Sequence, residues 1–151
     1  MYKSQYWAPC TWTLLHSLAE KSSNIETIKI TKHIINLVMH NLPCPFCQEH
    51  ATKYYNNNLH TFLNANDNYS LKLWLFNFHN QVNKETNNYT FDISQLNKYK
   101  KYPLENVVKL WTRYFSIMDN RLETSIKKNQ ILRTNNKVQK LLMPHLYKFN
   151  I

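Results

Sequence analysis

Glycine is missing altogether from this 151-residue chain. A β-rich fold or a phosphate-cradling loop needs glycine for tight turns and close backbone approach. The absence favours helices joined by Asn-rich turns, and it counts against P-loop and Rossmann chemistry, whose fingerprints are built on glycine. Cysteine is scarce: three residues are too few for a disulfide scaffold of the secreted kind. No apolar run approaches the ~20 residues that span a bilayer, and the opening Met-Tyr-Lys-Ser-Gln-Tyr-Trp builds no signal-peptide core. The expectation is a soluble, cytoplasmic protein without a membrane span, in which a cysteine pair is catalytic or metal-binding. Acids are also few, nine against 19 Lys and Arg, for a formal charge of +10. Such a balance suits either nucleic-acid binding or plain solubility, and nucleic acid is not the favoured partner.

What is present reads as helix after helix. Residues 11–22 form one, capped by Thr11, with Leu15, Leu18 and Ala19 on one side. Residues 26–41 repeat the pattern until Pro43 stops it. A third helix begins near Cys44, with Pro45 at its first position, and runs to Tyr55 before Asn56-Asn57-Asn58 ends it. A fourth covers about 70–85, a turn 86–92, and a short helix 93–99. Pro103 opens a fifth long helix whose apolar stripe is Leu104, Val107, Val108, Trp111, Tyr114, Phe115, Met118 and Leu122. The last stretch carries one amphipathic helix around 136–147. The fold class is all-α, most economically a helical bundle.

The pair in "NLPCPFCQEH" carries the chemistry. At a helix start, unpaired N–H groups and the macrodipole favour a thiolate, which suits Cys44 to exchange with an incoming dithiol. Cys47, a turn further in, is expected to be better shielded. A disulfide closing so short a loop is labile and fits catalysis. Zinc is the alternative: His40, Cys44, Cys47 and His50 lie close together, and Cys10 or His16 could complete a site. On that reading the chain is a zinc-stabilised helical module with a basic, nucleic-acid-binding C-terminal segment.

An oxidised dithiol must send two electrons elsewhere, and a flavin could take them and pass them to oxygen. Two stripes could wall such a ring. Phe76, His79, Asn80 and Asn83 are spaced i, i+3, i+4 and i+7, and Trp12, His16 and Ala19 are similarly aligned. Such stripes more often belong to a packed core.

Taken in order and spacing, "YWAPCTWTLLHSLAE", "LPCPFCQEH" and "WLFNFHNQVNKE" resemble the flavin-dependent Erv/ALR sulfhydryl oxidases, closest to the short forms of large cytoplasmic DNA viruses. The resemblance covers roughly residues 6–100. It implies a four-helix bundle with a short fifth helix, holding FAD at the bundle's mouth. It implies oxidation of a dithiol to a disulfide with oxygen reduced to hydrogen peroxide. By resemblance Cys44 and Cys47 are catalytic, Cys47 lying nearer the flavin. Trp7, Trp12, His16, Leu42, Phe76, His79, Asn80, Val82, Asn83 and Lys84 match cofactor-contacting positions. The implied partners are a dithiol protein or thioredoxin-like relay, oxygen, and a second copy in a homodimer. The implied place of work is a viral assembly site in the host cell, or the virion.

The chain departs from that pattern in several places. Trp7-Ala8 stands where the family has Trp-Gly, and there is neither a second structural cysteine pair nor a shuttle dithiol. Cys10 is left as a passive thiol. The tryptophan that packs the adenine end is out of register, with Tyr99 or Tyr102 as stand-in. The expected division is an oxidase bundle over 1–102 and a helical extension over 103–151, packed on the bundle or in a dimer contact.

Overall fold

A computed structural model of the chain describes residues 4–115 and 125–149. These residues contain no strand, in keeping with the missing glycines. Helix α1 spans Ser4–Lys21, α2 Ile25–Met39, α3 Pro45–Asn57, α4 Leu59–Asn64 and α5 Asn68–Glu85. A 3₁₀ helix covers Ile93–Lys101, and α6 (Leu104–Phe115) and α7 (Ser125–Leu142) follow, with a 3₁₀ turn Met143–Lys148 after α7. Met118 and Leu122 of the expected apolar stripe lie outside the described residues.

The bundle is α1, α2, α3 and α5. Helix α1 packs on α2 and α5, and α2 on α3. Tyr54 of α3 stacks on Phe78 of α5 at 4.8 Å between ring centres, closing the ring of helices. Leu14, Leu18, Ile34, Ile35, Leu71 and Leu75 are fully buried in its centre. Side chains cap the helix ends as the sequence pattern allows. Asn24 accepts from the Thr27 N–H at 2.9 Å, and Thr27 answers in a capping box. Asp67 accepts from the Ser70 N–H at 2.8 Å, which starts α5 two residues earlier than expected. The end of α1 is closed from outside: the Asn68 amide donates to the carbonyls of Ala19 at 2.9 Å and Ser22 at 2.8 Å.

Three expectations about the elements change. Thr11 is not a cap, because α1 begins at Ser4 and carries Pro9 within it. The Thr11 hydroxyl instead donates back to the Trp7 carbonyl at 2.7 Å and accepts from the Trp111 indole at 3.2 Å. Helix α4 was not expected. It is six residues long, too short for a periodic signal, and stands because Phe62 buries against Trp74 at 4.6 Å. Helix α7 starts well before 136, since two members of its buried face, Thr134 and Asn135, are polar and hide the stripe.

The extension shares the core. Helix α6 lies along α1 and buries Leu104, Val107, Val108, Trp111 and Phe115. Helix α7 runs antiparallel to α2. Near its start Gln130 bonds Asn41, and past its end Lys148 pairs with Glu26. Ile131, Val138, Leu142 and Phe149 join the same buried cluster as Leu15, Val38 and Cys44.

Candidate redox site

Cys44 and Cys47 are joined as a disulfide, with Cα atoms 5.2 Å apart. Pro43 ends the chain's run out of α2, and Pro45 takes the first helical position of α3, which leaves Cys44 as the N-cap. Its sulfur fills the role a serine oxygen would play, accepting the Cys47 backbone N–H at 3.1 Å. The shielding is the reverse of the expectation. Cys44 is 1% exposed, wedged with Leu42 and Ala51 into the core, whereas Cys47 is only half-buried. The N-cap lies where α2 turns into α3 and both pack inward. One helical turn later the chain faces an open cavity.

That cavity holds about 650 Å³ and lies between α1, the α2–α3 corner and α5. Trp7, Trp12, Leu42, Cys47, His79, Val82 and Asn83 line it, seven of the residues singled out from sequence. Leu15, Val38 and Met39 supply apolar floor, and Lys98 and Tyr99 approach from the 3₁₀ helix. Trp12 stacks on the His79 ring, 3.9 Å between centres and 6° between planes. Cys44 does not line it.

His16 does not reach the cavity surface. It is 2% exposed and sits behind His79, with Nε2 2.9 Å from His79 Nδ1. Tyr99 stacks on its other side at 4.8 Å. Desolvation, then the neighbouring His79 and Lys98 charges, hold the His16 pKa well below its usual value. Burial and Lys98 bring His79 down to about 4. Both rings are therefore neutral near pH 7, one donating and one accepting in their shared bond. Burial pushes the Tyr99 phenol up to about 12, so it stays protonated. Of the two candidate aromatics, Tyr99 is the one in the site. Tyr102 is more exposed, and its carbonyl accepts from Lys21 at 2.6 Å.

Phe76, Asn80 and Lys84 fall elsewhere. They lie i, i+4 and i+8 on α5 and line a second, polar cavity of about 820 Å³ between α3 and α5. His50 and Glu85, 3.2 Å apart, border both cavities. Asn80 is engaged by the loop after α5: its amide donates to the Phe91 carbonyl at 2.9 Å and its oxygen accepts the Phe91 N–H at 3.0 Å. That clasp brings Phe91 against His79 at 4.8 Å. Phe78, Phe91 and Lys98 were not singled out from sequence, because only the fold brings Phe91 and Lys98 beside the histidines and Phe78 beside Trp12.

The zinc arrangement finds no geometry here. Among the described residues no three His, Cys, Asp or Glu side chains gather as a metal site. The Nδ1 of His40 lies 2.8 Å from the Asn36 carbonyl, and both sulfurs of the pair are bonded to each other. Cys10 is a free thiol, half-buried, with its pKa raised by burial. No described helix is long and apolar enough to cross a membrane.

An all-helical bundle that sets one sulfur of a strand-free, short-loop disulfide on an aromatic-walled cavity defines a class: helical thiol–disulfide redox proteins. Residues 9–103 match the Erv1 / Alr family, and the chain belongs to it. Among its relatives is a protein of African swine fever virus (isolate Pig/Kenya) named FAD-linked sulfhydryl oxidase, 32% identical over 108 residues, covering 69% of this chain and 85% of the relative. A second with the same name, from the Tick/Malawi isolate, is 35% identical over 86 residues, covering 54% of this chain and 69% of the relative. No solved structure matches the chain significantly.

Proposed function

We propose that this chain is an FAD-linked sulfhydryl oxidase that turns a protein dithiol into a disulfide at Cys44–Cys47. The observation that carries the reading is the placing of Cys47, and not Cys44, on the wall of the 650 Å³ cavity. Family membership and the names of the viral relatives support it. The residues fit the cofactor. A slot of that size with apolar walls, a flat Trp12–His79 stack and a few polar groups has the make-up of a pocket for a planar organic ring. Trp7, Trp12, Leu42, His79, Val82 and Asn83 would hold it there, with Tyr99 and Lys98 beside them and His16 fixing the His79 ring from behind. Phe76, Asn80 and Lys84 line the adjoining cavity, where Lys84 would offer a cation to a phosphate group. When bound, FAD supplies a two-electron acceptor that returns electrons to oxygen as hydrogen peroxide.

The chain's own chemistry is thiol–disulfide exchange. A substrate thiolate bonds to the Cys44 sulfur, the Cys44–Cys47 bond breaks, and Cys47 leaves carrying the electron pair. The second substrate thiolate attacks the first substrate sulfur in the mixed disulfide, the substrate S–S bond forms, and Cys44 departs as a thiolate. That departure is helped by position. The Cys47 N–H at 3.1 Å and the N-terminus of α3 stabilise charge on the Cys44 sulfur, and a better-stabilised thiolate is a better leaving group. The substrate ends oxidised by two electrons and the pair ends as a dithiol. The neutral His16–His79 pair adds no cation to the cavity wall at neutral pH.

Two finer readings belong with this one. The chain works as a homodimer, as the family resemblance implies, and its client is a protein dithiol of a virus replicating in the host cytoplasm, in line with the source of its relatives. Sedimentation of the purified chain at twice the 18.3 kDa chain mass is expected for the first. For the enzyme itself, the purified protein should be yellow and release peroxide from dithiothreitol. Cys44→Ser and Cys47→Ser should each abolish peroxide release and retain the flavin. Full turnover by either variant defeats the reading. Cys10→Ser should keep most activity.

A further inference from the structure

Under the proposed function, two properties of the pair conflict. With the cavity filled, Cys47 is covered, and an incoming thiolate must reach Cys44. Yet Cys44 is 1% exposed. Exchange requires attack on the side of the Cys44 sulfur opposite Cys47, along the line of the breaking bond, and so requires access there. Some part of the structure around the Cys44 turn must yield.

Helix α7 touches that turn from both sides. Three residues before Cys44, the Asn41 side-chain oxygen accepts from Gln130 at 2.9 Å. Four residues after it, the Gln48 oxygen accepts from the Lys127 ammonium at 3.1 Å. Lys127 and Gln130 are one turn apart and share a face of α7. The next residue, Ile131, is buried in the same cluster as Cys44. From Ile131 onward α7 is anchored by Val138 and Leu142, and moving that part would expose core. Before Ile131 the contacts across the turn include the two polar bonds, and Ile126 is 82% exposed. All of α7 lies beyond the family match, which ends at residue 103.

We infer that the first turn of α7 is a substrate-selecting gate over Cys44, latched by Lys127 to Gln48 and Gln130 to Asn41. The inference rests on the reading of Cys44–Cys47 as the exchange centre and adds what decides which thiols reach it. Opening moves residues 125–130 and leaves the anchored part of α7 in place, so the gate admits a slender, extended dithiol segment more readily than a bulky folded surface. Lys127 and Gln130 are specificity determinants and not catalytic groups.

The test reads access directly and needs neither flavin nor turnover. In a full-length Cys10→Ser/Cys47→Ser chain, Cys44 is the sole thiol. Its alkylation rate is measured with iodoacetamide and with a maleimide carrying a bulky polyethylene glycol, and the ratio of bulky to small rates cancels any change in thiolate fraction. Adding Lys127→Ala and Gln130→Ala should raise that ratio on the order of tenfold, as expected for loss of two hydrogen bonds. Gln48→Glu, which turns one latch into an ion pair, should lower it. A ratio that does not rise on latch removal overturns the gate. If that variant proves unfolded by its thermal transition, Gln48→Glu decides alone: a lower ratio supports the gate and an unchanged one overturns it. Peroxide release from dithiothreitol by the unmodified holoenzyme is scored separately, so loss of the oxidase reading and loss of the gate are told apart.

Discussion

His79 sits at the junction of stability and site. Its pKa of about 4 against an ordinary 6.5 means that, between those pH values, the unfolded chain takes up a proton that the folded chain refuses. The stabilisation is complete above pH 6.5 and is lost as pH falls towards 4. It amounts to roughly 3 kcal/mol for this group at 1.36 kcal/mol per pKa unit. His16 adds in the same direction, since burial also lowers it. The urea midpoint should therefore drop between pH 7 and pH 5, and His79→Phe should flatten that drop. An equal drop in the variant places the titration elsewhere. The sequence singled out His16 and His79 by helical spacing, but could not separate a residue on the cavity wall from one behind it. That distinction depends on which way α1 and α5 rotate against each other.

Among the elements, α6 contributes most visibly from outside the bundle. Trp111 is fully buried, and its indole donates to Thr11, which in turn bonds the Trp7 carbonyl beside the cavity. Trp111→Ala opens a large void and removes the indole N–H bond to that hydroxyl. The expected cost is about 3–5 kcal/mol, or a melting point lower by roughly 10 °C in a chain of this size. Since the same bond line ends at Trp7, flavin retention should weaken with it. A variant that melts normally would make α6 an independent appendage. Helix α5 splits its labour by angle: residues 79, 82 and 83 face one cavity, and 76, 80 and 84 the other. The sequence stripe merged the two, because i+3 and i+4 neighbours look alike until a partner helix chooses between them.

Taken whole, the molecule is a bundle whose extension closes back on it, with α6 along α1 and α7 along α2 around one continuous core. A cofactor bound at the bundle's mouth between α1, α3 and α5 stabilises only the folded state, by RT ln(1 + [L]/Kd). At 100 times Kd, added FAD should raise stability by about 2.7 kcal/mol. The melting transition should move upward with FAD concentration and stay put with an equal concentration of adenosine diphosphate. A transition indifferent to FAD would count against the cavity as its seat.

Sequence alone determined the helical class, the bundle helices apart from the early start of α1, a cysteine pair at a helix start and seven of the residues that line the cavity. These rest on local rules (apolar periodicity, proline and N-cap placement, the spacing of two sulfurs at a helix start) and, for Trp7, Leu42 and Val82, on the family resemblance. Tertiary structure alone decided that Cys44 is the more deeply buried of the pair, that Tyr99 and not Tyr102 joins the histidines, and that α7 reaches the Cys44 turn. Each of those depends on how far one helix turns and slides against another. That is fixed by side chains distant in sequence, such as Gln130 against Asn41, and no local pattern encodes it.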